Sequence, residues 1–189
     1  MSDAVATIGT NAFAGCTALD NILSEKESPV PVVNDGALPE NDITVYVPYD
    51  SMGSYEDNTK KWSAYTIKPF GVHQYTVCNI PAGVNVSGIS LQSSSIWLID
   101  FGDGTKTLRY DSSQTEVPRH QYANAVDADG VVITVKGYVT TAGAMGSVIG
   151  ENSNKHLTRV EFSHSPLSAI SDLGFTLCTA LSYIDIGTS

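Results

Sequence analysis

Four aspartates stand in or beside turn sequences: Asp100 and Asp103 in I-D-F-G-D-G-T, and Asp127 and Asp129 in N-A-V-D-A-D-G. Hard carboxylate oxygens carried on turns suit Ca²⁺, so these four form the one metal site the sequence offers. D-A-D-G lacks the remaining ligands of an EF-hand loop, and the plainer reading is that the acids form turns. Beyond Ca²⁺ no cofactor is expected. The histidines His73, His120, His156 and His164 show neither H-x-x-x-H nor H-E-x-x-H spacing, so a zinc centre has little support. His120 is expected to be a structural hydrogen-bonding residue, and the other three are expected at the surface. Gly102-Asp103-Gly104 is too short and too acidic for a phosphate loop, and G-x-S-x-G is missing. A glycosidase needs two carboxylates roughly 5–10 Å apart in a cleft, and no acid pair in this sequence stands out for that role.

The second chemical candidate is aromatic. Tyr46, Tyr49, Tyr55, Trp62 and Tyr65 cluster along one segment. Such rings can stack on sugars or anchor a protein interface. They can equally close the end of a hydrophobic core, which is the favoured reading. The cysteines are Cys16, Cys78 and Cys178, an odd count without a framework spacing, which argues against a disulfide scaffold. Cys16 and Cys178 are expected to be buried small apolar residues.

The elements that must position these groups begin with a repeat. Residues 8–19 read IGTNAFAGCTAL and residues 170–181 read ISDLGFTLCTAL. Internal repetition signals stacked units. In the first copy Ile8, Ala12, Phe13, Cys16 and Leu19 fit one face of a short helix, and Phe175–Leu181 should be its counterpart. Residues 24–42, with three prolines, read as loop. ITVYV (43–47) alternates as a strand that Pro48 ends, and Asp50 or Ser51 should then cap a helix. From about Val72 come short β-branched and aromatic strands: 73–80, 86–92, 95–101, 105–110, a run ending in H-Q-Y, and 131–139. They predict a small antiparallel sandwich. Residues 143–154 read as a linker, followed by L-x-x-V-x-F (157–162) and L-x-x-I-x-I (181–186) strand patterns.

The 189 residues allow one full domain or two small ones. Lys+Arg number 10 against Asp+Glu 20, a net charge of −10, and a field of that sign repels phosphate backbones. Nucleic-acid binding is therefore not expected. No apolar run approaches the ~20 residues of a membrane-spanning helix.

With these residues in place, the chain resembles the leucine-rich repeats of the BspA type, found in surface proteins of Bacteroides and relatives. Ile8, Gly9, Ala12, Phe13, Cys16 and Leu19 fit every position of I-G-x-x-A-F-x-x-C-x-x-L. Ile170, Phe175, Cys178 and Leu181 fit in the second copy, where Ser171 and Gly174 depart from the usual Gly and Ala. Residues 43–70 look like the closing end of such an array. The middle segment resembles PKD-like domains through I-D-F-G-D-G-T, the downstream His120 and Tyr122, and V-V-I-T-V-K-G. That resemblance implies structural roles for Gly102, Asp103, Gly104, Thr105, His120 and Tyr122.

The expected fold is mainly β with short helices: a PKD-like (Ig-like) antiparallel β-sandwich flanked by partial repeat segments. The domains are 1–70 (repeats with a cap), 71–145 (sandwich) and 146–189 (repeats). The last repeat reaches I-D-I-G-T-S without a cap, so its edge should be covered by the N-terminal repeat of a neighbouring copy or of the same chain. Repeat proteins of this type usually follow a secretion signal, whereas MSDAVATIGT shows neither a basic nor a hydrophobic leader region. The functional expectation is a non-enzymatic virion decoration or fibre-associated protein of a Bacteroides-type phage. Its partners would be capsid or tail proteins or itself, forming an oligomer or larger assembly that touches bacterial surface glycans, with no membrane insertion. The alternatives are a bacterial cell-surface or secreted adhesin module and, lower, a glycan-active enzyme.

Overall fold

The structure, a computed structural model, describes residues 4–27, 30–40, 42–57, 59, 61–87, 91–110, 119–142, 153–163, 168–170, 175 and 178–187. The chain divides into two compact units, Met1–Phe70 and Gly71–Ser189. The stretches 71–145 and 146–189 thus share a unit. The described residues are mainly β, with one short helix among them.

In the first unit β-branched residues recur once per turn of chain. The strands are β1 (Thr7–Ile8), β2 (Asn21–Leu23), β3 (Val32–Val33), β4 (Thr44–Pro48) and the opening residues of β5 (Thr66–Val77). All their pairings are parallel. Ile8 lies opposite Val33, Ile22 opposite Val45, and Val45 opposite Ile67. Parallel neighbours cannot be joined by a tight hairpin and need a long crossover. Here each crossover is a full coil of chain, which gives a solenoid-like ladder. Ile8, Val33, Val45 and Val47 point inward and pack with Ala37, Leu38, Ile43, Tyr55 and Trp62. Helix α1 (Met52–Glu56) and a 3-10 turn at Trp62–Ala64 bring the two large rings under this ladder. Ser51 occupies the N-cap of α1 but makes no side-chain capping bond.

Two sequence expectations change in this unit. Residues 10–18 form successive turns, not a helix. Asn11 at φ 58° and Gly15 at φ 81° are left-handed, a conformation that interrupts right-handed helix. Phe13 and Cys16 are consequently exposed, so Cys16 is not a buried thiol. Val32–Val33 is also a strand despite the neighbouring prolines, because its partner Thr7–Ile8 supplies the pairing from a distance.

The second unit contains the rest of β5 with β6 (Asn85–Ser87), β7 (Leu91–Asp100), β8 (Lys106–Tyr110), β9 (Arg119–Gln121), β10 (Val131–Ala142), β11 (Leu157–Ser163), β12 (Ala169–Ile170) and β13 (Tyr183–Asp185). Its main sheet runs β13-β11-β5-β10-β7-β8, with β12 on β10 and a separate β6–β9 pair. β5, β10, β7 and β8 pair antiparallel, as does β11 on β5. β13 on β11 and β12 on β10 are parallel. β8, β10 and β11 fall where the alternation predicts them, while β5 begins at Thr66 instead of residue 73 and β7 opens at Leu91, inside the stretch 86–92. Residues 88–90 of the expected 86–92 strand lie outside the described residues, as do 143–152 of the expected linker. Residues 176–177 of the expected helix at Phe175–Leu181, and His164, lie outside them too, and the described residues of that segment are not helical but include turns at 175 and 179–180. One face of the sheet buries Tyr75, Val77, Ile99, Ile133, Val135, Val160 and Phe162, with Phe101 and Tyr122 joining them. Phe175, Cys178 and Leu181 pack against the same core half-buried.

His73 departs from the surface position expected of it and is fully buried on β5. The period of two along a strand puts it on the face shared by Tyr75 and Val77. Its ring meets Phe162 edge-on, centroids 5.5 Å apart.

Candidate functional site

The turn between β7 and β8 is held by its own acids. Asp100 Oδ1 accepts from the Gly102 N–H at 3.0 Å, and Asp103 Oδ1 accepts from the Thr105 N–H at 3.0 Å and the Thr105 hydroxyl at 2.6 Å. Gly102 sits at φ 78°, and a Cβ there would lie 2.5 Å from the Val132 carbonyl oxygen, so only glycine fits. The other Asp103 oxygen, Oδ2, is 2.7 Å from Nε2 of His120 on β9. Burial tends to raise the Asp103 pKa. The bonds from Thr105 and His120, with the His120 charge, outweigh it and hold the carboxyl down at about 2. An ionised carboxylate only accepts, so Nε2 of His120 carries the proton. The His120 ring stacks on Phe101 with centroids at 4.2 Å and meets Tyr122 edge-on at 4.5 Å. The Tyr122 hydroxyl donates to the Phe101 carbonyl at 2.9 Å. Burial, then the nearby Asp103 charge, raises the Tyr122 pKa.

Beside this cluster opens a shallow hollow of about 480 Å³. Asp103, Thr105, Asn124, Asp127 and Gly130 are among its lining residues. Its carboxylates, amide and hydroxyl are groups able to hydrogen-bond a polyol such as a sugar.

The four aspartates read as Ca²⁺ ligands are placed as follows. Asp103 and Asp127 reach the hollow. Asp127 Oδ1 accepts from the Asp129 N–H at 3.0 Å, closing its own turn. Asp100 pairs with Lys106 at 2.9 Å, and that bond, with the one from Gly102, keeps its pKa below the usual carboxylate value. Among the described residues no three acidic, histidine or cysteine side chains converge on a point where a cation could sit.

The aromatic set divides by burial. Tyr46, Tyr55 and Trp62 are buried, Tyr65 is half-buried, and Tyr49 is exposed. Rings closed off from solvent cannot stack on a ligand, so the five do not form one binding surface. The Trp62 indole donates to the Pro31 carbonyl at 2.7 Å and packs against Tyr55 and Tyr65 with centroids at 5.5 and 6.4 Å. The Tyr55 hydroxyl donates to the Lys26 carbonyl at 2.9 Å and lies 2.7 Å from the Ser24 hydroxyl. These residues close the interior of the coil.

Sequence reasoning did not single out the buried pair His73 and Tyr75. Among the described residues neither His73 ring nitrogen nor the Tyr75 hydroxyl has a hydrogen-bond partner. The alternation of H-Q-Y-T-V places them on one inward face and is the signal that identifies them. His156 is half-buried, with Nδ1 at 2.9 Å from the Cys78 carbonyl. Cys78 is buried, and burial raises the pKa of the half-buried Cys178.

No protein-family model matches the chain, and no curated protein or solved structure matches it. Fold and site together define a mainly β protein, with stacked parallel rungs in one unit and a larger, chiefly antiparallel sheet in the other. No described helix is long and apolar enough to cross a membrane.

Proposed function

We propose that the chain is a non-enzymatic structural and surface-binding protein, built from BspA-like repeat coils and a PKD-like sandwich. It would serve as a decoration or fibre-associated component of a Bacteroides-type phage particle. The observation that carries this reading is the apolar surface left on the last two strands of the second unit, β12 and β13. Ile170, Tyr183, Ile184 and Ile186 are all exposed, Ile186 at 63%. Ile170 lies on β12, which pairs with β10, while Tyr183 and Ile184 lie on β13, which pairs with β11, and Ile186 follows β13. A row of exposed large apolar residues on a strand edge invites pairing with another chain. The parallel steps from Asn21 to Thr44 to Thr66 support the repeat-coil part of the reading. The Asp103–His120–Phe101–Tyr122 cluster supports the sandwich part. The polar hollow at Asp103, Asn124 and Asp127 is where a surface glycan would make contact.

Mass spectrometry of purified phage particles against bacterial outer-membrane fractions tests the proposal. Recovery in the particle supports it. Recovery in the membrane fraction alone overturns it in favour of a cell-surface adhesin. Turnover of polysaccharide by the purified chain would defeat the non-enzymatic part.

A further inference from the structure

The two copies of the repeated sequence share two backbone hydrogen bonds at matching positions. In the first, Cys16 N–H donates to the Phe13 carbonyl at 3.1 Å and Leu19 N–H to the Cys16 carbonyl at 2.9 Å. In the second, Cys178 N–H donates to Phe175 at 3.2 Å and Leu181 N–H to Cys178 at 3.0 Å. Each copy is flanked by two short strands at matching positions: β1 and β2 around the first, β12 and β13 around the second. The same number of residues separates the strands in both.

Their exposures are opposite. Ile8 is 4% exposed, whereas Ile170 in the equivalent slot is 40% exposed. Ile22 is half-buried and its equivalent Ile184 is exposed. Phe13 is 41% exposed, whereas its equivalent Phe175 is half-buried, and Cys16 is exposed where Cys178 is not. The strands flanking the first copy pair with β3 and β4, which follow it in the chain. The strands flanking the second copy pair with β10 and β11, which precede it in the chain. Among the described residues β2 pairs only with β4, and β13 only with β11.

We infer that copies of this chain associate head to tail, the coil of β12 and β13 in one copy receiving the coil of β1 and β2 in the next. This rests on the reading of the chain as an assembly part, and it names the partner as a second copy of the same chain. The docking extends two parallel ladders at once. β13 lies beside β2 of the partner and continues β11-β13 into the partner's β2-β4. β12 lies beside the partner's β1 and continues β10-β12 into its β1-β3. The equal spacing within the two copies keeps both ladders in register together. Ile170, Ile184 and Ile186 are covered on one side of the joint, and Phe13 on the other. Different surfaces meet, so the contact is heterologous and propagates into a ring or filament unless it is blocked.

Analytical ultracentrifugation of the full chain across a wide concentration range tests this. The expected result is a mass that rises with concentration beyond one chain. A mass fixed at one chain up to millimolar concentration overturns the inference, whatever the particle experiment finds. Particle localisation can fail independently while the chain still self-associates. Phe13→Asp blocks the head and Ile184→Lys blocks the tail. Both sites are exposed, and circular dichroism checks that each variant keeps the wild-type spectrum, with Ile186→Lys as a second tail variant. Each variant alone should associate at least about tenfold more weakly, the equivalent of ~1.4 kcal/mol. An equimolar mixture of head- and tail-blocked chains retains one intact joint and should stop at a dimer. A mixture that stays monomeric, or a single variant that associates like wild type, overturns the head-to-tail arrangement.

Discussion

Nε2 of His120 on β9 lies 2.7 Å from Oδ2 of Asp103 in the β7–β8 turn, and the same imidazole stacks on Phe101. One side chain thus ties the turn to the small β6–β9 pair and covers the edge of the core. Asp103 is the hub, since its other oxygen takes both Thr105 bonds.

Replacing Asp103 by Asn retains the shape and removes the charge. The folded-state pKa of about 2 lies below the ordinary 3.8, so folding favours the ionised form. That stabilisation is present above about pH 4 and is lost as pH falls through 2. Asp103→Asn should destabilise by about 1 kcal/mol at pH 7, a figure reduced for the partial exposure of the group. Urea titrations at pH 7 and pH 2 check this, because the gap between variant and wild type should close at the lower pH.

His73 sets a separate pH window. Burial without a polar partner among the described residues brings its pKa down to about 4 from the ordinary 6.5. The unfolded chain takes up the proton first as pH falls. Stability is therefore complete above pH 6.5 and declines towards pH 4, by up to ~3 kcal/mol in total. His73→Leu should flatten the stability profile over this interval and leave the Asp103 window unchanged. Thermal unfolding followed by circular dichroism from pH 8 to pH 4 decides it, and an unaltered slope in the variant counts against this role for His73.

Trp62 closes the interior of the first unit. Trp62→Ala should cost about 3–5 kcal/mol through the cavity it leaves. Trp62→Phe keeps most of the packing and loses the bond to Pro31, at a cost of about 1–2 kcal/mol. Chemical denaturation ranks the two variants.

The two turn glycines should respond differently to alanine. At Gly102 the new Cβ meets the Val132 carbonyl oxygen and the backbone is left-handed, so Gly102→Ala should cost about 3 kcal/mol or more. Gly104 is also left-handed at φ 91° but has open space around its Cβ position. Gly104→Ala should cost only the ~1–2 kcal/mol of backbone strain. Melting temperatures of the two variants give the comparison.

Much of the fold is legible in the residues because local pattern and local structure share one cause. Alternation in I-T-V-Y-V and V-V-I-T-V-K-G marks β4 and β10, since one face of each must be buried. The repeat marks two related segments, but their apolar spacing suggests a helix where residues 10–18 form turns, since Asn11 and Gly15 take left-handed conformations. I-D-F-G-D-G-T marks a turn at Asp103-Gly104, since glycine takes the left-handed backbone that such a turn requires, as Gly104 does at φ 91°.

The tertiary structure decided what solvent reaches. Cys16 and Cys178 occupy one slot of one motif, yet only Cys16 is exposed, because exposure depends on which coil lies next in space. Tyr55 and Trp62 carry the same sequence signal as Tyr49, but the coil closes over the first two and leaves the third in water. His73 reads as an ordinary polar residue until β10 and β11 pair on either side of β5 and enclose it. A sequence fixes the period and conformational freedom of each segment, while burial follows from contacts between segments far apart in the chain.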